Sequence, residues 1–351
     1  MLEELFGTGG ALEAIWGWPP PVLDPAGPYA APVTRVAWVL FGMGVLVTAI
    51  ITAALYVALK GPADWRQKLG GERAIWIGGV AFPGVVLTAL LIWGLTLTAS
   101  LSSSITGDEP RIRVTGEMWW FRVQYLGPDG EVVMEDANEL HLPVGQPVVL
   151  ELRSGDVIHS FWVPHLSGKK DMIPGRTLLL RVEASKPGRF GGVCAEYCGG
   201  PHALMGFVAI AHEPDEYRDW LAARTARLAT LPAATETPQP AAARLALAAV
   251  EGAGNPAAGD IGRGQQLFME SGCGACHRVA GTEANGLAGP DLTHVGSRLT
   301  LGAGILANHR GTLVGWIGDS QSLKPGNRMP SYDRLSAREL NDIAAWLEQQ
   351  R

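Results

Sequence analysis

The sequence predicts a multidomain membrane protein: a two-helix transmembrane hairpin, then an all-β sandwich, then an all-α C-terminal domain. Three observations predict it. Two uncharged apolar runs, Val36 to Leu59 and Ala74 to Ala99, each reach the roughly 20 residues that a bilayer crossing needs. Between Arg111 and Ala211 the chain changes to short β-type runs separated by turn signals. After an Ala/Pro/Gly-rich stretch come helix-type patterns around Cys273, Cys276 and His277.

The whole chain sets bounds. It has 351 residues and a net charge of −6, so it is long for one domain and no nucleic-acid partner is expected. Hydrophobic residues make up 47% of it, and the excess sits in the two apolar runs. Residues 1–32 are acidic (Glu3, Glu4, Glu13, Asp24) and proline-rich, without a basic leader. They are expected to form a short exposed periplasmic arm. One amphipathic turn near Leu5 to Trp16 would end at Pro19, Pro20 and Pro21. The hairpin takes residues 33–107. Pro83 lies inside its second run, which a membrane helix tolerates. Lys60, Arg66, Lys68 and Arg73, against Asp64 and Glu72, place the intervening loop in the cytoplasm. Both chain ends then lie outside.

Residues 108–212 form the predicted sandwich. Strands are expected near Arg111–Val114, Trp119–Tyr125, Val148–Leu152, Val157–Val163, Leu178–Val182 and Phe207–Ala211, with a turn at Gly127–Gly130. Within it, Gly192 to Met205 gathers Cys194, Glu196, Cys198, His202 and Met205 in a dozen or so residues. Two thiolates, an imidazole and a thioether suit copper, and the Met argues against structural zinc. The segment needs a second imidazole from elsewhere, for which His159, flanked by apolar residues, is the best candidate. A Cys194–Cys198 disulfide is the plain alternative.

Residues 213–258 read as a linker, with one helix over Glu216–Ala229 and then a flexible tether. A flexible chain of about 45 residues has an r.m.s. span of about 35–40 Å, so residues 259–351 are expected to swing without needing a strong docking patch. In that last domain C-x-x-C-H reads as covalent haem attachment through Cys273 and Cys276, with His277 as an axial ligand. A redox dithiol or zinc half-site is the alternative. Met329, in a loop, is the favoured sixth ligand, and His294 and His309 are its rivals. Ser336, with Glu339 three residues on, should cap the closing helix.

The pattern C-x-E-x-C-x-x-x-H-x-x-M, preceded by Asp156-Val157-x-His159-Ser160-Phe161, resembles subunit II of the cytochrome c oxidases. The likeness runs through Pro164 to Arg176, and Gly289 to Leu292 resembles the loop of class I cytochromes c whose proline carbonyl accepts from the axial His. The resemblance implies a cupredoxin-like sandwich holding a dinuclear copper A centre. Cys194 and Cys198 would bridge the two ions, His159 and His202 would supply the imidazoles, and Met205 and the Glu196 carbonyl the weak ligands. It also implies that Trp119 receives electrons, as the first Trp of the family's aromatic cluster. Met118 stands for the usual Gln there, and Phe121 for a second Trp. Trp76 stands where the family carries a glutamate near a proton channel, with Glu72 one turn earlier.

With its fused cytochrome c domain, the chain resembles the caa type of haem–copper oxidase. The implied role is non-catalytic electron transfer in a proton-translocating complex that reduces oxygen: from haem c, through copper A, to subunit I. Implied partners are subunit I and the other oxidase subunits, membrane lipid, and an upstream cytochrome c or quinol-oxidising complex. The implied location is the bacterial inner membrane, copper and haem domains on the periplasmic side. The alternatives are a nitric oxide reductase of the same superfamily and a membrane copper-handling protein.

Overall fold

The computed structural model describes residues 20–101, 107, 109–230 and 259–351. The turn expected near Leu5 to Trp16 and the tether at 231–258 lie outside the described residues. The chain divides into two compact units: residues 29–107, and residues 108–351 together with 1–28.

The first unit is helical. Helix α1 spans Ala31–Lys60, α2 spans Ala63–Leu69 and α3 spans Glu72–Leu101. Both long helices extend past the apolar runs that announced them. A wide π-type turn over Ile77–Ala81 precedes Pro83, whose ring nitrogen has no proton to offer the preceding turn. Thr98 and Ser100 donate their hydroxyls to the carbonyls of Gly94 and Leu97, so neither is left unpaired in an apolar helix. Val45 and Val85 are each 71% exposed, and Ile51 and Leu91 61%. Apolar rows on that scale need lipid or partner helices to cover them.

The second unit begins with ten strands in two five-stranded sheets. One has the order β3-β2-β1-β5-β8: β1 Arg111–Glu117, β2 Trp120–Leu126, β3 Val132–Ala137, β5 Val148–Ser154 and β8 Leu178–Val182. The other has the order β4-β10-β9-β6-β7: β4 Glu139–Pro143, β6 His159–Trp162, β7 Lys170–Met172, β9 Gly188–Cys194 and β10 Gly206–His212. Alternation works as expected in β1, where Ile112 and Val114 face the core. Phe121, Phe161 and Phe207 meet at its centre with ring centroids 4.8–6.3 Å apart.

Four of the ten sandwich strands were not predicted. Strand β7 has only three residues. Strand β9 is glycine-rich because a Cβ at Gly192 would fall 2.2 Å from the Phe207 ring. Strands β3 and β4 carry Asp136, Glu139 and His141, which are buried although their types favour the surface.

Two expected boundaries change. Residues 20–28 are not all exposed arm, since Ala26 is buried against the sandwich and bonds by backbone to His165 and Ser185. Helix α4, Pro214–Thr230, is part of the sandwich domain and not free linker: Tyr217 is buried, and Trp220 stacks on His141 with centroids 3.9 Å apart.

In residues 259–351, helix α5 (Ile261–Glu270) crosses helix α8 (Ala337–Glu348), and between them in sequence lie α6 (Arg310–Gly318) and α7 (Ser320–Leu323). Ser336 and Glu339 form the expected capping box. Phe268 packs on Trp346, centroids 4.9 Å apart. The crossing is so close that a Cβ at Gly264 would lie 2.0 Å from the Asp342 carbonyl oxygen. This helical domain sits directly on the sandwich: Gly206 N donates to the Ala303 carbonyl at 2.9 Å, and Arg298 meets Asp136 at 2.7 Å. The expectation that no docking patch is needed is therefore corrected, because buried polar groups join the two.

Gly264→Ala is expected to destabilise the helical domain by about 1–3 kcal/mol or more, the range for forcing atoms into a packed core. Thermal unfolding followed at a signal from that domain would show a lower midpoint. An unchanged midpoint would contradict the close crossing.

Candidate metal and haem centres

The copper-side site is built where β9 ends and β10 begins. Cys194 closes β9, a 3₁₀ turn covers His202–Leu204, and Gly206 opens β10. Backbone bonds from Cys194 N to Met205 O and from Ala195 N to Ser160 O, both 2.9 Å, fasten this loop to itself and to β6. His159, the first residue of β6, thereby faces the loop. The Cys194 sulfur lies 3.8 Å from Cys198 Sγ, 3.8 Å from His159 Nδ1 and 3.3 Å from the Glu196 carbonyl oxygen. The Cys198 sulfur lies 3.4 Å from His202 Nδ1 and 3.8 Å from Met205 Sδ. All six residues singled out in the sequence come together, and His159, Cys194, Cys198 and Met205 are buried.

Both cysteines are free thiols, with sulfurs well beyond the ~2.05 Å of a disulfide. The contact with Cys198 holds the Cys194 thiol down to about 3 and pushes Cys198 up. Burial disfavours a charged His159, but its bonds to Cys194 and then to Asp156 outweigh this and raise it. His159 Nε2 bonds Asp156 Oδ1 at 2.8 Å, which leaves Nδ1 turned to the sulfurs. The ring has one place to lie, since a Cβ at Gly116 would meet it at 2.8 Å. Two soft sulfurs, two imidazole nitrogens, a thioether and a carbonyl in a buried cluster fit copper.

Trp119 sits against this loop. Its Nε1 donates to the carbonyls of Cys198 and Gly199, 3.1 Å from each. A Cβ at Gly200 would come within 2.7 Å of the indole. The other side of this aromatic segment borders a cavity of about 310 Å³, lined by Met118, Trp119 and Trp120 together with Cys273, Cys276, His277 and Met329. That volume lies in the range of cofactor sites. His277 Nδ1 bonds the Pro290 carbonyl at 2.8 Å, leaving Nε2 as its free ring nitrogen. Burial holds the imidazole below its ordinary pKa, hence neutral and able to ligate a metal. Gly289 is required beside it, since a Cβ there would fall 2.7 Å from the ring. An apolar cavity bearing two thiols, a neutral His and a Met fits a c-type haem. Among the rival ligands, His294 is buried away from the cavity lining, and His309 caps α6 by accepting from Thr312 N. Arg298 and Lys324 are the site neighbours that sequence reasoning missed, because single charged residues in loops carry no pattern; Asp156 stood in the motif before His159 but was given no role.

Comparison with known proteins gives two family matches: residues 113–212 match the periplasmic domain of cytochrome c oxidase subunit II, and residues 261–351 match cytochrome c. A cytochrome c oxidase subunit 2 from Alkalihalophilus pseudofirmus is 34% identical over 341 residues, covering 93% of this chain and 89% of that protein. The corresponding Bacillus subtilis protein is 26% identical, covering 80% and 76%. Among solved structures, the periplasmic domain of a Bradyrhizobium japonicum oxidase subunit II aligns at 29% identity and a TM-score of 0.31, over 34% of this chain and 94% of that one.

Asp156→Asn is expected to lower copper affinity by about 10–100-fold, the usual cost of losing the carboxylate behind a ligating His. Competition with a copper chelator measures it. Unchanged affinity would leave Asp156 a mere turn residue.

Proposed function

Since the chain belongs to the cytochrome c oxidase subunit 2 family, we propose that it is the subunit by which electrons enter a haem–copper terminal oxidase. It passes them from haem c through copper A to the oxygen-reducing subunit I and makes no bonds itself. The observation that carries this reading is the position of Trp119, which borders the cavity lined by Cys273, Cys276, His277 and Met329 while its indole bonds the backbone of Cys198 and Gly199.

Cys273 and Cys276 would hold the haem covalently, and His277 and Met329 would ligate its iron. Cys194, Cys198, His159 and His202 would hold the copper, with Met205 and the Glu196 carbonyl as weak donors. When bound, each group supplies a centre that gains and loses one electron.

The chain's own work is to fix these donors and keep water out. Asp156 orients His159 and Pro290 orients His277. Burial of Cys194, Cys198 and Met205 behind Phe161 and Phe207 leaves the donor set little freedom to rearrange when its charge changes. The apolar helices α1 and α3 would anchor the chain in a bacterial inner membrane beside subunit I, in contact with lipid, with both redox domains on the periplasmic side. An upstream cytochrome c or quinol-oxidising complex would supply electrons.

Electron paramagnetic resonance of the purified complex tests the copper assignment. One unpaired electron shared by two equivalent copper nuclei gives a seven-line hyperfine pattern. Cys198→Ser should abolish it, and Met205→Leu should leave it in place with an altered potential. A four-line spectrum from one copper per chain would overturn the dinuclear assignment. Trp119→Ala should slow reduction of the copper with copper fully retained; reduction at the wild-type rate would return Trp119 to a packing role.

A further inference from the structure

We propose that Arg298 and Lys324 form a two-point latch that holds the haem-bearing domain seated on the copper-bearing domain. Transfer between the two centres then runs inside a fixed complex, not by swinging on the tether. The inference rests on the function proposed above.

Arg298 crosses from one domain to the other. Its Nε donates to Asp136 Oδ1 on β3 at 2.7 Å, and both side chains are buried, at 6% and 1% exposure. Its Nη2 donates to the Asp291 carbonyl, one residue beyond the Pro290 carbonyl that holds His277. The guanidinium thus ties the loop behind the candidate axial His to the copper-side sandwich. The adjacent Leu299 N donates to the buried Glu139 carboxylate on β4. Burial alone would push the Asp136 carboxyl up, yet Arg298, with His141 and Arg224 behind it, holds it below its ordinary value.

Lys324 makes the second point. It is 3% exposed, and its Nζ donates to the Trp119 carbonyl at 2.8 Å and to the Gly302 carbonyl at 2.9 Å. The first belongs to the copper side and the second to the haem side. Its own carbonyl accepts from Asn327 Nδ2, and Asn327 Oδ1 accepts from Met329 N at 2.7 Å. The loop of the candidate sixth ligand is thereby tied to the backbone of Trp119. Between the two points, Gly206 N, directly after Met205, donates to Ala303 O.

A buried ion pair adds little net stability, because desolvation offsets attraction, but it fixes register, and losing one partner strands the other charge. The latch therefore sets the geometry between the cavity and Trp119, and it should fail when either member is removed. Arg298 and Lys324 are positioning residues: neither is a proposed ligand.

Hydrogen–deuterium exchange on the full-length chain in its membrane complex reads the seating directly. In the wild type, the amides of Leu299 and Gly206 should be protected. In Arg298→Gln and in Asp136→Asn their exchange should rise at least about a hundredfold, while β5 keeps its protection. Haem-to-copper transfer after photoreduction should become slower and viscosity-dependent in both variants, and Asp136→Asn, which unlike Arg298 does not line the cavity, should keep wild-type copper resonance and haem absorption. Lys324→Met should give the same viscosity dependence. Should Arg298→Gln disturb its haem loop, Asp136→Asn decides, because it lies on the copper side. The latch is refuted by unprotected Leu299 and Gly206 amides in the wild type. It is equally refuted by variants that keep wild-type protection and viscosity-independent transfer. Absence of copper or haem from the wild-type complex would instead refute the function on which the latch rests.

Discussion

The bond from Trp119 Nε1 to the carbonyls of Cys198 and Gly199 is the contact on which the rest of the arrangement depends. It presses an indole onto the loop that carries five of the six candidate copper donors. The same aromatic segment forms one wall of the cavity that carries the haem-binding pattern. A sandwich is a suitable base for such a contact, because its loops leave strands paired on both sides. Strand β9 delivers Cys194, β10 begins just after Met205, and β6 delivers His159. The three are neighbours in one sheet. The site is therefore as rigid as the sheet beneath it.

Rigidity here has a chemical use. Donors that cannot relax when charge arrives or leaves need little reorganisation, and the aromatic core under the loop leaves no space for them to move. Close approaches at Gly116, Gly192 and Gly200 show how little space there is, since any side chain at those positions would strike His159, Phe207 or Trp119. The haem side uses the same device, with Gly289 against His277.

Much of this was legible in the sequence. The candidate copper donors could be read because donors at fixed spacing in one loop, with a His upstream, form a pattern, and C-x-x-C-H forms another. The membrane helices could be read because apolar length is itself the signal. Strands β3 and β4 could not: Asp136 puts a charge at a core-side position of β3, and β4 is five residues long, with buried Glu139 and His141 and a closing Pro143. Those residues are buried by the neighbouring domain and by α4, and a partner that arrives from more than a hundred residues away leaves no mark on local periodicity. For the same reason, composition alone favoured a swinging domain. The stretch 231–258 is indeed rich in Ala and Pro, but the domains meet through side chains such as Arg298 and Lys324, which look like ordinary surface cations in one dimension.

The central claim is an order of events: the haem domain receives the electron, and the copper loop receives it next. Single-turnover reduction of the purified complex by its donor, watched at the haem c and copper absorption bands together, tests it most directly. The account predicts that the haem c band changes first. The copper band should follow at a rate independent of donor and protein concentration. Copper reduced as early as haem c, or at a rate that rises with donor concentration, would contradict it.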